Sequence, residues 1–190
     1  SVSLASAPIG PLWHDVNAAD IAPAGIRTTI PSKFRAVAVD DVALTGVLAQ
    51  APLESATNRP STSVAVITLP LPDGSYGRFR FVNSPVMSAS LAARFPEIQT
   101  YLGQGIDDAT ASVRFDRTPF GFHAMILAAG GVVFIDPYQR NDTVNYVSYY
   151  KSDSQLVPGA QMIELGVDIS GPQDDYSNIP LTPSGTELRT

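Results

Sequence analysis

The chain has 190 residues, 44% hydrophobic and only 16% charged, with 12 Lys and Arg against 18 Asp and Glu and a net charge of −6. So few charges exclude a disordered acidic tail, a coiled coil and a basic arm for nucleic acid, and no apolar run nears the ~20 residues of a membrane-spanning helix. The lack of cysteine excludes a disulfide framework, a thiolate zinc site and a cysteine nucleophile.

This length suits one domain with tails. Sixteen prolines and 14 glycines disfavour long helices and favour short strands joined by turns. Residues 1–30 carry little periodicity and read as a lead-in, with Trp13, His14 and Asp15 inside it. A start at Ser1, without methionine or a charged-then-apolar leader, is expected of a mature or excised form. Phe34 to Val39 reads as a strand. Asp40 and Asp41 then stand where a helix cap belongs, ahead of Val42, Leu44, Val47 and Leu48, which predicts a short helix over 41–49 with Pro52 beyond it.

After a polar linker at 53–61, Ser63 to Leu69 is a β-branched run. Leu71-Pro72-Asp73-Gly74 supplies a turn, and Ser75 to Val82 alternates, so a β-hairpin is predicted. Met87, Leu91 and Phe95 lie four apart and predict a helix over 87–95, capped by Ser88 or Ser84 and ended by Pro96. Ile98 to Leu102 is a short strand that Gly103-Gln104-Gly105 is expected to break. Ala111 to Asp116 is another strand. Gly121 to Leu127 and Gly131 to Ile135 form a second hairpin around Ala128-Ala129-Gly130, and Thr143 to Tyr150 adds a strand to the meander. Gln161 to Asp168 suits one more strand, and 171–190, with Pro172, Pro180 and Pro183, reads as a flexible linker. The expected fold is therefore α+β and β-rich. Its antiparallel strands form a sandwich or a strongly bent sheet with one or two short helices, over residues 31–170.

The catalytic inventory is small. His14 and His123 are the two histidines and the candidate interaction residues. Each is expected to be a hydrogen-bonded structural residue rather than a catalytic one, since no Gly-x-Ser-x-Gly elbow accompanies them. No His-Glu-x-x-His helix or calcium loop is present. Asp107-Asp108 and Asp174-Asp175 read as solvated surface pairs. Tyr138, Tyr146, Tyr149 and Tyr150 suit cross-strand packing, with a sugar-stacking platform as the alternative.

Several phrases in order carry a resemblance. They are Ile30 to Arg35, Leu48 to Glu54, Ile67 to Gly74, Phe79 to Phe81, Ser84 to Met87, Leu91 to Tyr101 with Gly103 and Gly105, and Thr118 to Ala124. Over about residues 30–150 the chain resembles the N-terminal propeptide region of secreted bacterial zinc metallopeptidases of the reprolysin-like (adamalysin-related) group. The resemblance implies a secreted or periplasmic propeptide, without catalytic residues or a cofactor of its own. It would assist folding of the catalytic domain that follows, keep it latent, and be removed by proteolysis. The implied partner is that domain, which carries the zinc; no nucleic acid or membrane partner is implied.

The ending Ser184 to Thr190 resembles the junction into such a domain, with Arg189 and Thr190 as the candidate processing site. One departure stands out. Animal relatives often use a propeptide cysteine on the zinc, which this chain cannot do, so latency would need a carboxylate or histidine on the metal or occlusion of the cleft. Two other functions suit the residues: a carbohydrate- or surface-binding β-module of a secreted protein, and a small hydrolase dependent on His123.

Overall fold

A computed structural model describes residues 12–154. The strand expected at 161–168, the linker at 171–190 and the candidate processing site Arg189 and Thr190 lie outside the described residues. Among the described residues, nine strands form one antiparallel sheet: β1 (Trp13–Asp15), β2 (Arg35–Val39), β3 (Val66–Pro70), β4 (Tyr76–Asn83), β5 (Gln99–Gly105), β6 (Ser112–Thr118), β7 (Gly121–Ala128), β8 (Gly131–Pro137) and β9 (Asn145–Tyr150). Two helices accompany them, α1 (Asp41–Leu48) and α2 (Ala89–Arg94). The β-rich, antiparallel expectation holds, as a single bent sheet rather than two stacked ones.

The strand order is β1-β2-β9-β8-β7-β6-β5-β4-β3. Strands β3 to β9 are thus a continuous meander, and the N-terminal pair β1-β2 is added beside β9. The sheet curls until its two edges meet, and it is nearly closed. Side chains hold the seam. Trp13 Nε1 donates to the Thr68 carbonyl at 2.9 Å, and Ser148 Oγ donates to the Pro70 carbonyl at 2.8 Å. Arg35 Nη1 donates to the carbonyls of Leu71 and Ser75 at 3.2 and 2.8 Å. Among the described residues the seam between β1 and β3 is thus bridged by side chains rather than by a backbone ladder.

Alternation sends one residue in two into the curl. Val37, Val39, Ile67, Leu69, Phe79, Phe81, Val113, Ile126, Val133 and Ile135 join one buried cluster. A line of rings crosses it. Trp13 lies 5.6 Å from Phe122 and 5.5 Å from Tyr146, Phe122 lies 5.6 Å from Phe115, and Phe115 stacks on Tyr101 at 4.9 Å. Such pairs each add ~0.5–1.5 kcal/mol beyond burial of their area.

The structure corrects three expectations. Residues 13–15 of the lead-in are part of the sheet: β1 pairs with β2, and buried Gln139 accepts from the amides of Ala24 and Gly25 through Oε1 while donating to the Ala22 carbonyl through Nε2. A three-residue strand is too short to show a period. Gly103 to Gly105 does not break β5. Glycine is required there by close approach, since a Cβ at Gly103 would lie 2.7 Å from Val113 Cγ1. Finally, α2 has six residues and leaves Leu91 and Phe95 each 39% exposed, so the spacing of four does not mark a buried face. Ser88 caps it, accepting from the Leu91 amide, whereas Ser84 is buried and its amide donates to the Thr100 carbonyl.

Candidate functional site

The β6-β7 turn fixes the centre of the site. Gly121 sits at φ +132°, a conformation open to glycine, and the hairpin it starts aligns Asp116 with His123. Phe122 and Ala124 are buried in the core, so His123 between them faces outward. The two-residue loop Ala129-Gly130 then sets the next register. Ala124 pairs with Ile135, so the following step brings His123 beside Asp136 on β8. Thr100 on β5 pairs with Asp116, extending one row across four strands.

His123 Nδ1 lies 3.2 Å from Asp116 Oδ1, with both side chains partly exposed (41% and 37%). The adjacent carboxylate raises the imidazole pKa above 6.5, and partial burial opposes it. Asp136 is the more deeply placed acid. Burial raises its pKa above the ordinary carboxylate value, countered by the hydrogen bond that Tyr149 donates to Oδ2 at 2.7 Å and by the nearby His123. Tyr149 is itself pushed up, by burial and by that carboxylate. A half-exposed imidazole is thus held by one acid and flanked by a second, desolvated one, with both pKa values raised.

Two cavities meet at this row. The first, about 330 Å³, lies over Thr100, Arg114, Met125 and Phe134 and includes Asp116, His123 and Asp136. The second, about 300 Å³, is bounded by Thr28, Thr29, Phe120 and Arg140 and shares His123 and Asp136 with the first. Val86 and Phe120 stand at their rims, 68% and 63% exposed. Nearby, the guanidinium of Arg27 lies 4.3 Å from the Tyr138 ring and 5.2 Å from the Phe34 ring, which holds the 21–30 segment beside the site. A third cavity, about 230 Å³ and mainly apolar, sits over Phe79, Ile126 and Val133 and contains no histidine.

The two histidines have different settings. His14 lies on β1 opposite Ala38 and is exposed, distant in the strand order from the row at His123. Tyr146 and Tyr149 are buried, and Tyr138 and Tyr150 are half-buried, so these tyrosines form no exposed stacking row. Asp107 and Asp108 do more than solvate the surface. Asp107 binds Arg78, and Asp108 accepts from the Thr110 amide and hydroxyl to close the β5-β6 turn. Nothing local in the sequence marks Asp116 or Asp136 as a site residue. The signal for both was the hairpin register, because centring one turn on Ala129-Gly130 and the other on Pro119-Phe120 places each acid beside His123.

Among the described residues no group of three or more His, Asp or Glu is placed to hold a metal ion. His123 with Asp116 is instead suited to offer one nitrogen to a group supplied by another molecule. The chain matches no family model, no curated protein and no solved structure.

Proposed function

We propose that this chain is the propeptide of a secreted or periplasmic zinc metallopeptidase, assisting the folding of the catalytic domain and holding it latent until proteolysis. The observation that supports the reading is a coincidence of boundaries. The phrases resembling reprolysin-like propeptides run over about residues 30–150, and β2 to β9 span that same stretch as one continuous sheet. A folding assistant needs such a body, ordered before its partner and stiff enough to template it. The aromatic line through the core supplies stiffness. The outer face, with Val86 and Phe120 exposed around His123, gives a partner something to bind.

The experiment has two arms. The coding sequence after Thr190 is read for the extended His-Glu-x-x-His motif, and the purified 190-residue chain is added to the mature catalytic domain. A zinc motif, inhibition that follows concentration and a higher refolding yield of the catalytic domain are expected. A downstream sequence without the motif, or a catalytic domain indifferent to the chain at high micromolar concentration, rejects the reading.

A further inference from the structure

The geometry points to His123 Nε2 as the atom that ligates the partner's zinc in the latent complex, with Asp116 as its positioning residue. This rests on the propeptide reading and names the contact through which latency is exerted. Histidines that bind metals usually give their other ring nitrogen to a carboxylate, which fixes the tautomer, aims the ring and raises its basicity. His123 has that arrangement without a metal of its own: Nδ1 is held by Asp116, and among the described residues no hydrogen bond occupies Nε2. Catalytic zinc keeps three protein ligands and one exchangeable position, normally held by water, and a neutral imidazole nitrogen fits that position.

Comparison with the other histidine and with several acids among the described residues favours the same atom. The chain has no cysteine. Asp15, Asp41 and Asp107 are engaged by arginines, and Asp40, Asp73 and Asp108 close their own caps and turns. His14 is exposed on β1 with no carboxylate on its ring among the described residues. Among the described residues, His123 combines a preset ring, partial exposure and room around it, since both neighbouring cavities open on its side chain. The exposed apolar side chains of Val86 and Phe120 border that room and would pack against the walls of the partner's cleft, excluding the water that competes for the metal.

The test reads metal dependence rather than activity alone. The 190-residue chain is titrated onto the zinc-loaded, metal-stripped and cobalt(II)-substituted catalytic domain, with affinity measured by calorimetry and the cobalt visible spectrum recorded. For the native chain, stripping the metal is expected to weaken binding at least tenfold, and a nitrogen ligand should reshape the cobalt bands. His123→Ala should bind the zinc-loaded and stripped forms equally and leave the cobalt bands unmoved. Asp116→Asn should retain the spectral change with affinity lowered by about tenfold, the usual effect of losing an outer partner of a ligand. His14→Ala should behave as the native chain, and circular dichroism of each variant verifies the fold. If His123→Ala inhibits and perturbs cobalt as the native chain does, or the native chain binds without regard to metal, the assignment of His123 is overturned while the propeptide reading stands. If the native chain neither binds nor inhibits, the propeptide reading falls and this inference with it.

Discussion

Trp13 donates its indole N–H to the carbonyl of Thr68, 55 residues further along the chain, at 2.9 Å. The bond runs between the first strand of the sheet order and the last, so one side chain joins the two edges. The same indole is 1% exposed and packs edge-on against Phe122 and Tyr146. Replacing it tests the closure. Trp13→Ala is expected to cost ~3–5 kcal/mol, the range for deleting a buried aromatic side chain. Trp13→Phe keeps a ring and loses the hydrogen bond, so about 1–3 kcal/mol is expected from the unpaired Thr68 carbonyl and the smaller volume. Urea unfolding followed by circular dichroism measures both, and a Trp13→Ala variant as stable as the native chain would refute the closure.

Stability should fall as pH rises across the neutral range, because of the His123 row. His123 has its folded pKa raised above 6.5, so its contribution is fully present below that value and disappears as pH climbs through the folded pKa. Asp136 acts in the same direction. Its folded pKa is raised from 3.8 by burial, so the folded state prefers the protonated carboxyl, and that preference is lost as the acid ionises. Asp136→Asn keeps an oxygen for the Tyr149 hydroxyl and removes the desolvated charge. It should raise the melting temperature at pH 7 and reduce the loss of stability that sets in as pH rises above 3.8, and thermal melts at several pH values decide this.

The charge state of His123 can also be read directly. Proton resonances of its ring should titrate with a midpoint above 6.5, and Asp116→Asn should lower that midpoint, because the hydrogen bond to Asp116 is the largest cause of the upward shift. An unchanged midpoint in Asp116→Asn would remove Asp116 as the positioning residue.

Two glycines at positive φ separate backbone strain from steric contact. Gly131 sits at φ +124° with open space where a Cβ would be, so Gly131→Ala meets only the backbone cost of about 1–3 kcal/mol. Gly121 sits at φ +132°, and a Cβ there would lie 2.8 Å from Pro137 Cγ and 3.2 Å from the Asp142 carbonyl. Gly121→Ala should therefore cost clearly more than Gly131→Ala. It should also broaden or shift the His123 resonances, because the same turn sets the register of Asp116 against His123. Equal losses at the two positions would contradict the contact argument.

Much of this fold was legible because its signals are local. Asp73-Gly74 between alternating runs locates the β3-β4 hairpin, with Gly74 at φ +91°, and Asp40 marks the start of α1 by accepting from the Ala43 amide. What failed was non-local. Trp13 bonds to Thr68 and packs against Phe122 and Tyr146, all 55 or more residues later, and nothing in Leu12 to Val16 announces that. The glycines of β5 looked like breaks because what crowds their missing Cβ lies elsewhere: Val113 on the neighbouring strand for Gly103, and the Asp108 backbone of the following turn for Gly105. The site was half legible. His123 stood out as one of two histidines, but its acids gained meaning only from pairing, and Asp136, followed by Pro137, looked like the end of a strand.

The placement of β2 beside β9 has a consequence for how the chain acquires its structure. The meander from β3 to β9 assembles through hairpins between sequence neighbours, whereas Val37 must find Tyr146, about a hundred residues later. Loop-closure entropy makes such a pairing late and slow. During synthesis the apolar run from Ala36 to Val39 emerges early, and at ~5–20 residues per second it waits several seconds or more before β9 exists to receive it. Throughout that interval β2 has β1 on one side only, and its other edge stays sticky until β9 arrives. A ribosome-associated holdase that shields residues 34–39 would raise the soluble yield, and polar replacements there would relieve the dependence while weakening the finished sheet.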